Sequence, residues 1–302
     1  MPPSAEAPAR SDRVTIVEVG PRDGLQNEKR IIPTEDKLKL IALLADCGFA
    51  RIEATAFVSP KWTPQMADHA DVMRRASRGR GARLSALVPN EQGAVAAIAA
   101  GADEIAVFTS ASETFSLRNA NCSIEDSIRR FVPVLRRASE AGMPVRGYVS
   151  CAVDCPYEGP IEPSKVAKVV ARLRGLGCAE IALSDTIGRA RPDQVAAMVK
   201  AALNEAPASL FAGHFHDTGG FALANVAVAW DLGLRVFDSA VGGLGGCPYA
   251  PGAAGNLATG ALARLFASRK IETGVDLARL GLAEQWVADF VRRDPRQAAA
   301  SG

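Results

Sequence analysis

Long apolar runs are missing from this chain of 302 residues. None approaches the ~18–20 residues that a bilayer-spanning helix needs, so the sequence offers no membrane segment. The opening Met-Pro-Pro-Ser-Ala-Glu-Ala-Pro has neither a basic nor an apolar stretch, and no export signal is expected from it. An excess of charge is lacking as well. The 35 Lys+Arg and 33 Asp+Glu leave a net +2 and are scattered, which gives no footprint for nucleic acid or a membrane surface. Histidine is scarce, with three in all. Six cysteines in so long a chain, without paired metal-ligand spacing, read as reduced thiols rather than a disulfide framework. These absences point to a cytoplasmic protein. What is abundant is apolar residue content, at 48%, which excludes disorder and leaves a large folded core.

Short β-branched runs alternate with longer segments of helical period. The strand-like runs are Val14–Gly20, Arg51–Thr55, Arg83–Val88, Glu104–Ser110, Val145–Ser150, Glu180–Asp185, Leu210–His216 and Val236–Val241. Between them lie helical stretches at Thr34–Cys47, Pro64–Ala76, Glu91–Ala100, Ile124–Ala141, Pro163–Leu176, Pro192–Ala206, Gly220–Leu232 and Ala253–Ser268. Gly48, Gly101, Gly142, Gly177 and Gly233 each close a helical stretch, the usual place of a left-handed cap. Eight βα units predict an α/β fold, a closed (β/α)8 TIM barrel, with an open doubly wound sheet as the alternative. Thr273–Val291 predicts an additional C-terminal helical segment. The expected layout is one catalytic domain over 13–292, with tails at 1–12 and 293–302.

In such a barrel the chemistry gathers at the carboxyl ends of the strands. The seventh run ends His214-Phe215-His216, and a period of two puts both imidazoles on one face. Two such rings make half of a divalent-metal site; two hydrogen-bonded interior histidines are the plainer alternative. His69, alone in a helical stretch, reads as a surface residue. The first run ends Gly20-Pro21-Arg22-Asp23-Gly24, where Gly-Pro and Asp-Gly enforce a tight turn presenting Arg22 and Asp23. A carboxylate beside two imidazoles, with room for oxygen donors, suits Mg²⁺ or Mn²⁺. Glu53 faces inward by alternation, and a buried carboxylate there needs a cation, for which Arg22 is the natural partner. After the eighth run comes the glycine-rich segment from Gly242 to Asn256. It lacks the lysine of a phosphate-binding loop and reads as a cover carrying Cys247, with Asn256 returning as a neutral oxygen ligand. The remaining cysteines read as packing residues.

The stretches VGPRDGLQNEK, SPKWTPQMADH, NCSIEDS, RGYVSCAVDCPYEG, SDTIG, HFHDT and GGLGGCPYAPGAAGN together resemble the 3-hydroxy-3-methylglutaryl-CoA lyases, metal-dependent barrel enzymes. The resemblance runs from about Val14 to Gly274, and the Cys247 loop is its most specific part. It implies divalent-metal-dependent retro-Claisen cleavage of 3-hydroxy-3-methylglutaryl-CoA to acetyl-CoA and acetoacetate, a step of leucine and ketone-body metabolism. It implies Asp23, His214, His216 and Asn256 as metal ligands. Arg22 would stabilise the enolate, with Glu53 holding it and Asp185 behind the ligands. Asp23 or a group it orients would take the hydroxyl proton, and His214 or Cys247 would return one to carbon. Arg22, Gln26, Lys29 and Arg146 are the implied substrate contacts, the basic ones (with Arg30) for the phosphates of coenzyme A. A homodimer is the implied assembly. The competing readings are a lyase for a longer 3-hydroxy-3-alkylglutaryl-CoA, a related Claisen condensing enzyme, and a barrel that binds without catalysis.

Overall fold

The computed structural model describes residues 13–28, 30–245 and 255–292, the last three of these by backbone alone. In chain order the elements are β1 (Thr15–Glu18), a π-helical turn (Gly20–Gly24), α1 (Thr34–Asp46), β2 (Arg51–Ala56), α2 (His69–Arg75), β3 (Arg83–Leu87), α3 (Glu91–Ala99), β4 (Glu104–Ser110), α4 (Glu113–Ala120) and α5 (Ile124–Glu140). There follow β5 (Val145–Ser150), a small hairpin of β6 (Asp154–Cys155) and β7 (Gly159–Pro160), α6 (Pro163–Leu176), β8 (Glu180–Asp185), α7 (Pro192–Leu203), β9 (Phe211–Phe215), α8 (Ala222–Asp231), β10 (Val236–Ser239), α9 (Thr259–Ser268) and α10 (Leu277–Arg292). Eight parallel strands close in the order β1-β10-β9-β8-β5-β4-β3-β2. This is the TIM barrel expected from the repeat, and the open-sheet alternative falls.

Local chemistry explains the joints. Asn90 caps α3 by accepting from the Gly93 N–H at 3.0 Å, and Ser123 caps α5 through Asp126 N–H at 3.0 Å. Proline opens α6 and α7, where its missing N–H costs nothing. Gly177 closes α6 at φ 96°, and the N–H groups of Gly177 and Cys178 return to Arg174 and Leu173. The sequence pattern misses α4 and the β6–β7 hairpin. The signal for α4 was present in Ser112, whose hydroxyl accepts from the Phe115 N–H at 3.1 Å. Among the described residues no helix is long and apolar enough to cross a membrane.

The expected C-terminal helical segment is α10, which packs against α1 and α9. Strand and C-terminal extension meet at the base of the barrel, where the Val14 N–H donates to Glu272 O at 2.8 Å. Apolar side chains fill the layer between strands and helices, from Ile16 and Ile52 to Phe237 and Phe266, all essentially buried. The barrel interior differs. Its inward positions carry Arg51, Glu53, Glu104, Arg146, Tyr148, Glu180, His214 and Asp238 instead of stacked aliphatics.

One carboxylate lies in the apolar layer outside the barrel. Glu18 is fully buried and takes the N–H groups of Gly20 (2.8 Å) and Val241 (2.9 Å) and the hydroxyl of Thr259 (2.7 Å). It thereby ties the turn after β1 to the segment after β10 and to the start of α9. Burial raises its pKa from 4.5 to about 7; those hydrogen bonds oppose the rise, and Glu284 on α10 adds to it. Cys47 at the end of α1 is a second titratable neighbour, itself pushed up to about 12 by burial and then by Glu18. An acid whose pKa is raised by folding stabilises the fold most when protonated, and that contribution is lost as pH rises through about 7. A glutamine amide in its place could accept the same two N–H groups and donate to Thr259, whose hydroxyl can turn toward Ser239 at 2.9 Å. The Glu18→Gln variant should therefore gain on the parent protein as pH rises from about 5 to 8, by at most about 3 kcal/mol. Melting curves of both proteins across that range check this; parallel pH profiles would refute it.

Candidate metal centre

The turn that carries Arg22 and Asp23 is wider than the tight turn expected. Val19 O accepts from the N–H groups of Arg22, Asp23 and Gly24 at 3.2, 2.8 and 3.2 Å, the last of these closing the wider π-type ring. No side chain fits at Gly20 or Gly24. A Cβ there would lie 2.6 Å from Glu18 Oε1 or 2.7 Å from Leu244 Cβ. This packing turns Arg22 inward, buried, and leaves Asp23 half-buried at the rim.

From β9, separated from β1 only by β10, His214 at the strand's end and His216 just beyond it face Asp23, their rings 5.3 Å apart. Asp23 Oδ2 lies 4.0 Å from His214 Nε2 and 3.8 Å from His216 Nε2. Asp23, His214 and His216 are the cluster of metal-ligating groups found among the described residues. Asn256 joins them from beyond β10, paired as an isolated bridge with His216. Its Nδ2 donates to Asp23 Oδ2 at 2.7 Å and to Leu244 O at 3.3 Å. A half-turn of the amide would put Oδ1 there instead, as an oxygen donor.

Two observations test whether this set fits a divalent cation. The first is spacing: donors 3.8–4.0 Å apart are too far for hydrogen bonds. They suit one ion about 2.0–2.2 Å from each. The second is charge. Inside the barrel, the guanidiniums of Arg22, Arg51 and Arg146 face the carboxylates of Asp23, Glu53, Glu104, Glu180 and Asp238. With the imidazoles neutral, as ligation requires, two negative charges are left over. One divalent cation cancels them. The residues fit the group.

The ion pairs run the length of the barrel. Arg51 reaches Glu180 at 2.8 Å and Glu104 at 2.9 Å. Arg146 lies 2.8 Å from both Glu180 and Asp238. Arg22 is clamped by Glu53 through Nε and by Asp23 through Nη1. Burial works against the Asp23 carboxylate, but the charge of Arg22 and the two histidines outweigh it and hold its pKa well below the usual range. Asp23 is thus held ionised, as a metal ligand must be. Burial likewise raises Asp185, whose oxygens accept from the N–H groups of Gly188 and Ala190 at 3.0 Å behind the rim.

Other expected residues fall elsewhere. Arg146 is not a phosphate contact: it is 2% exposed, inside the barrel, with its guanidinium committed to carboxylates. His69 is half-buried rather than freely exposed, its ring packed 4.5 Å from Phe57 and its Nδ1 2.7 Å from Met66 O. Gln26 and Arg30 are half-buried on the segment after Asp23. Lys29 and Cys247 lie outside the described residues. Cys47, Cys122, Cys151, Cys155 and Cys178 are all buried. Sequence reasoning missed Asp238 and Tyr148. Asp238 pairs with His214 across β10 and β9, and the register of two adjacent inward positions was the signal available.

The HMGL-like family model matches residues 13–287 of the chain. The mitochondrial hydroxymethylglutaryl-CoA lyase of Bos taurus is 52% identical over 281 residues, 93% of this chain and 86% of that protein. The cytoplasmic 3-hydroxy-3-methylglutaryl-CoA lyase of Danio rerio is 52% identical over 289 residues, 96% of this chain and 86% of that protein. Among solved structures, the HMG-CoA lyase of Brucella melitensis superposes with a TM-score of 0.91 at 56% identity, covering 93% of this chain and 99% of that one.

A cation that binds only the folded protein must stabilise it. Adding Mn²⁺ or Mg²⁺ at about 100 times its dissociation constant to chelator-stripped protein should contribute about 2.7 kcal/mol and raise the melting temperature. In His216→Ala the rise should vanish. A melting temperature indifferent to both ions, or an equal rise in His216→Ala, would overturn the assignment.

Proposed function

The chain belongs to the HMGL-like family, and from that membership and the geometry of the rim we propose that it cleaves 3-hydroxy-3-methylglutaryl-CoA into acetyl-CoA and acetoacetate. It is a carbon–carbon lyase. The observation that carries the reading is a buried guanidinium, Arg22, clamped by Glu53 and set directly beside the oxygen and imidazole donors of Asp23, His214 and His216.

Asp23, His214, His216 and, after an amide turn, Asn256 would hold a divalent cation, with Mg²⁺ or Mn²⁺ the proposed identity. When bound, such an ion lowers the pKa of a hydroxyl oxygen and so favours loss of its proton. The substrate is a tertiary alcohol. Asp23, or a group it orients, is the proposed acceptor of the hydroxyl proton. The C–C bond then breaks as the oxygen forms the ketone of acetoacetate, and the electron pair leaves with the thioester carbon to give an enolate, which takes a proton to become acetyl-CoA. Arg22 supplies fixed donors for the enolate oxygen, and Glu53 holds those donors in place before the charge develops. His214 presents only Nε2 to the rim because Nδ1 is engaged by Asp238 at 3.0 Å. Used as a ligand it has no proton to give, so the proposed donor to carbon is Cys247. Gln26, Lys29 and Arg30, on the segment following Asp23, are the proposed contacts for the coenzyme A portion. A cytoplasmic location and a dimer of this chain belong to the same reading; the cited relatives are named for both mitochondrion and cytoplasm.

A coupled assay should detect acetyl-CoA and acetoacetate in equal amounts from 3-hydroxy-3-methylglutaryl-CoA, with loss on chelation and recovery on adding Mg²⁺. Arg22→Gln should lower kcat by about 10²–10³-fold. A substrate with a longer 3-alkyl group, assayed in parallel, distinguishes the acyl preference. No acetyl-CoA release from the methyl substrate, or full turnover by Arg22→Gln, would reject the proposal.

A further inference from the structure

Arg146 is the residue whose position departs most from its expected role, and its surroundings assign it another. Its Nη2 donates to Asp238 Oδ1 at 2.8 Å, and its Nη1 donates to Asp238 Oδ2 at 3.1 Å. The same Nη1 donates to the Tyr148 hydroxyl at 3.0 Å. From these two partners, two arms run to the rim. On one arm, Asp238 Oδ2 meets His214 Nδ1 at 3.0 Å. On the other, the Tyr148 hydroxyl donates to Glu53 Oε2 at 2.5 Å, and Glu53 Oε1 takes Arg22 Nε, whose Nη1 reaches Asp23. Both arms end in the same cluster, one at His214 and the other at Asp23, whose facing atoms stand 4.0 Å apart.

The direction of the bonds along both arms follows from the charges of their members, beginning with Arg146. A guanidinium can only donate. Asp238, an ionised carboxylate, can only accept, so the proton at its contact with His214 sits on Nδ1 and the Nε2 lone pair faces Asp23. The Tyr148 oxygen accepts from Arg146, which leaves its own hydrogen for Glu53. Glu53 then accepts twice and holds Arg22 as a donor. We propose that Arg146 is the positioning residue of the centre, fixing through Asp238 the tautomer of His214 and through Tyr148 the pose of the Glu53–Arg22 pair. Lysine cannot replace it, since an ammonium lacks the planar fork that meets both carboxylate oxygens and a hydroxyl together.

The proposal rests on the lyase reading for its kinetic readout alone; its other two readouts require no substrate. Three variants of the full chain separate the arms: Arg146→Lys, Asp238→Asn and Tyr148→Phe. The chain has three histidines, so ¹⁵N-histidine spectra of chelator-stripped protein resolve each ring, His69→Ala and His216→Ala supplying the assignment. His214 in the parent protein should be the pure Nδ1–H tautomer. In Asp238→Asn every amide orientation sets an N–H against a donor, so the tautomers should mix and Mn²⁺ affinity should fall about 10–100-fold. Tyr148→Phe should leave the tautomer and Mn²⁺ affinity in place and lower kcat more than it changes KM. Arg146→Lys should show both losses. Asp238→Asn is isosteric and Tyr148→Phe removes one oxygen, so the two single-arm tests stand if Arg146→Lys fails to fold. The proposal falls if His214 is not the Nδ1–H tautomer in the parent, if Asp238→Asn or folded Arg146→Lys keeps its tautomer and Mn²⁺ affinity, or if Tyr148→Phe weakens Mn²⁺ as much as Asp238→Asn. Expected spectra and Mn²⁺ affinities with no cleavage of the methyl substrate would leave Arg146 as positioning residue and remove the lyase reading instead.

Discussion

A charge taken out of water must be matched where it lies, because an unpaired buried ion costs several kcal/mol. The interior of this barrel is organised around that requirement. Where aliphatic layers would ordinarily fill the space, guanidiniums and carboxylates alternate from Arg51 and Glu104 near the base to Arg22 and Asp23 at the rim. The matching is incomplete by two negative charges, and the shortfall falls beside two imidazoles. The charge balance and the ligand chemistry are thus compatible with one cation at this place. A barrel built this way gains little stability from its centre and takes it from the apolar layer outside the strands, where Leu44, Val170, Val199 and Phe266 are fully covered.

Much of this arrangement was readable in the chain. The strand runs were legible because parallel strands under helices are β-branched along their length, and the helix ends because Gly, Pro, Ser and Asn punctuate them. His214 and His216 were legible because a period of two is rigid, and Glu53 because an inward carboxylate demands a cation. Asp238 was not, since its neighbours Phe237 and Ser239 give no polar pattern and its meaning comes from β9 alongside. Arg146 misled for the opposite reason. Its charge suggested a solvent-facing partner, whereas two inward carboxylates, Glu180 on the neighbouring β8 and Asp238 on β10, give it interior ones. The π-helical turn after β1 was read as a tight turn, because Gly-Pro and Asp-Gly signal a bend without specifying its width.

Glu18 shows how the catalytic rim is held from outside the barrel. Three segments distant in sequence end on its two oxygens, and each is the root of something that matters at the rim: the Arg22–Asp23 turn, the segment leading from Val241, and α9 just after Asn256. Leu244 fills the space beside Gly24, and Gly245 lies where any side chain would strike Asn256, 2.9 Å from Nδ2. Precision at the centre therefore depends on close backbone contact as much as on the ligands themselves.

The two arms that run from Arg146, one through Asp238 and one through Tyr148 and Glu53, have a consequence for how such a protein can diverge. A member replaced alone leaves a neighbour without its partner, so the effects of changes there are coupled rather than additive. The loops at the strand ends carry no such mutual obligation. Substitutions at the mouth are accordingly less constrained than substitutions in the hydrogen-bonded network beneath it.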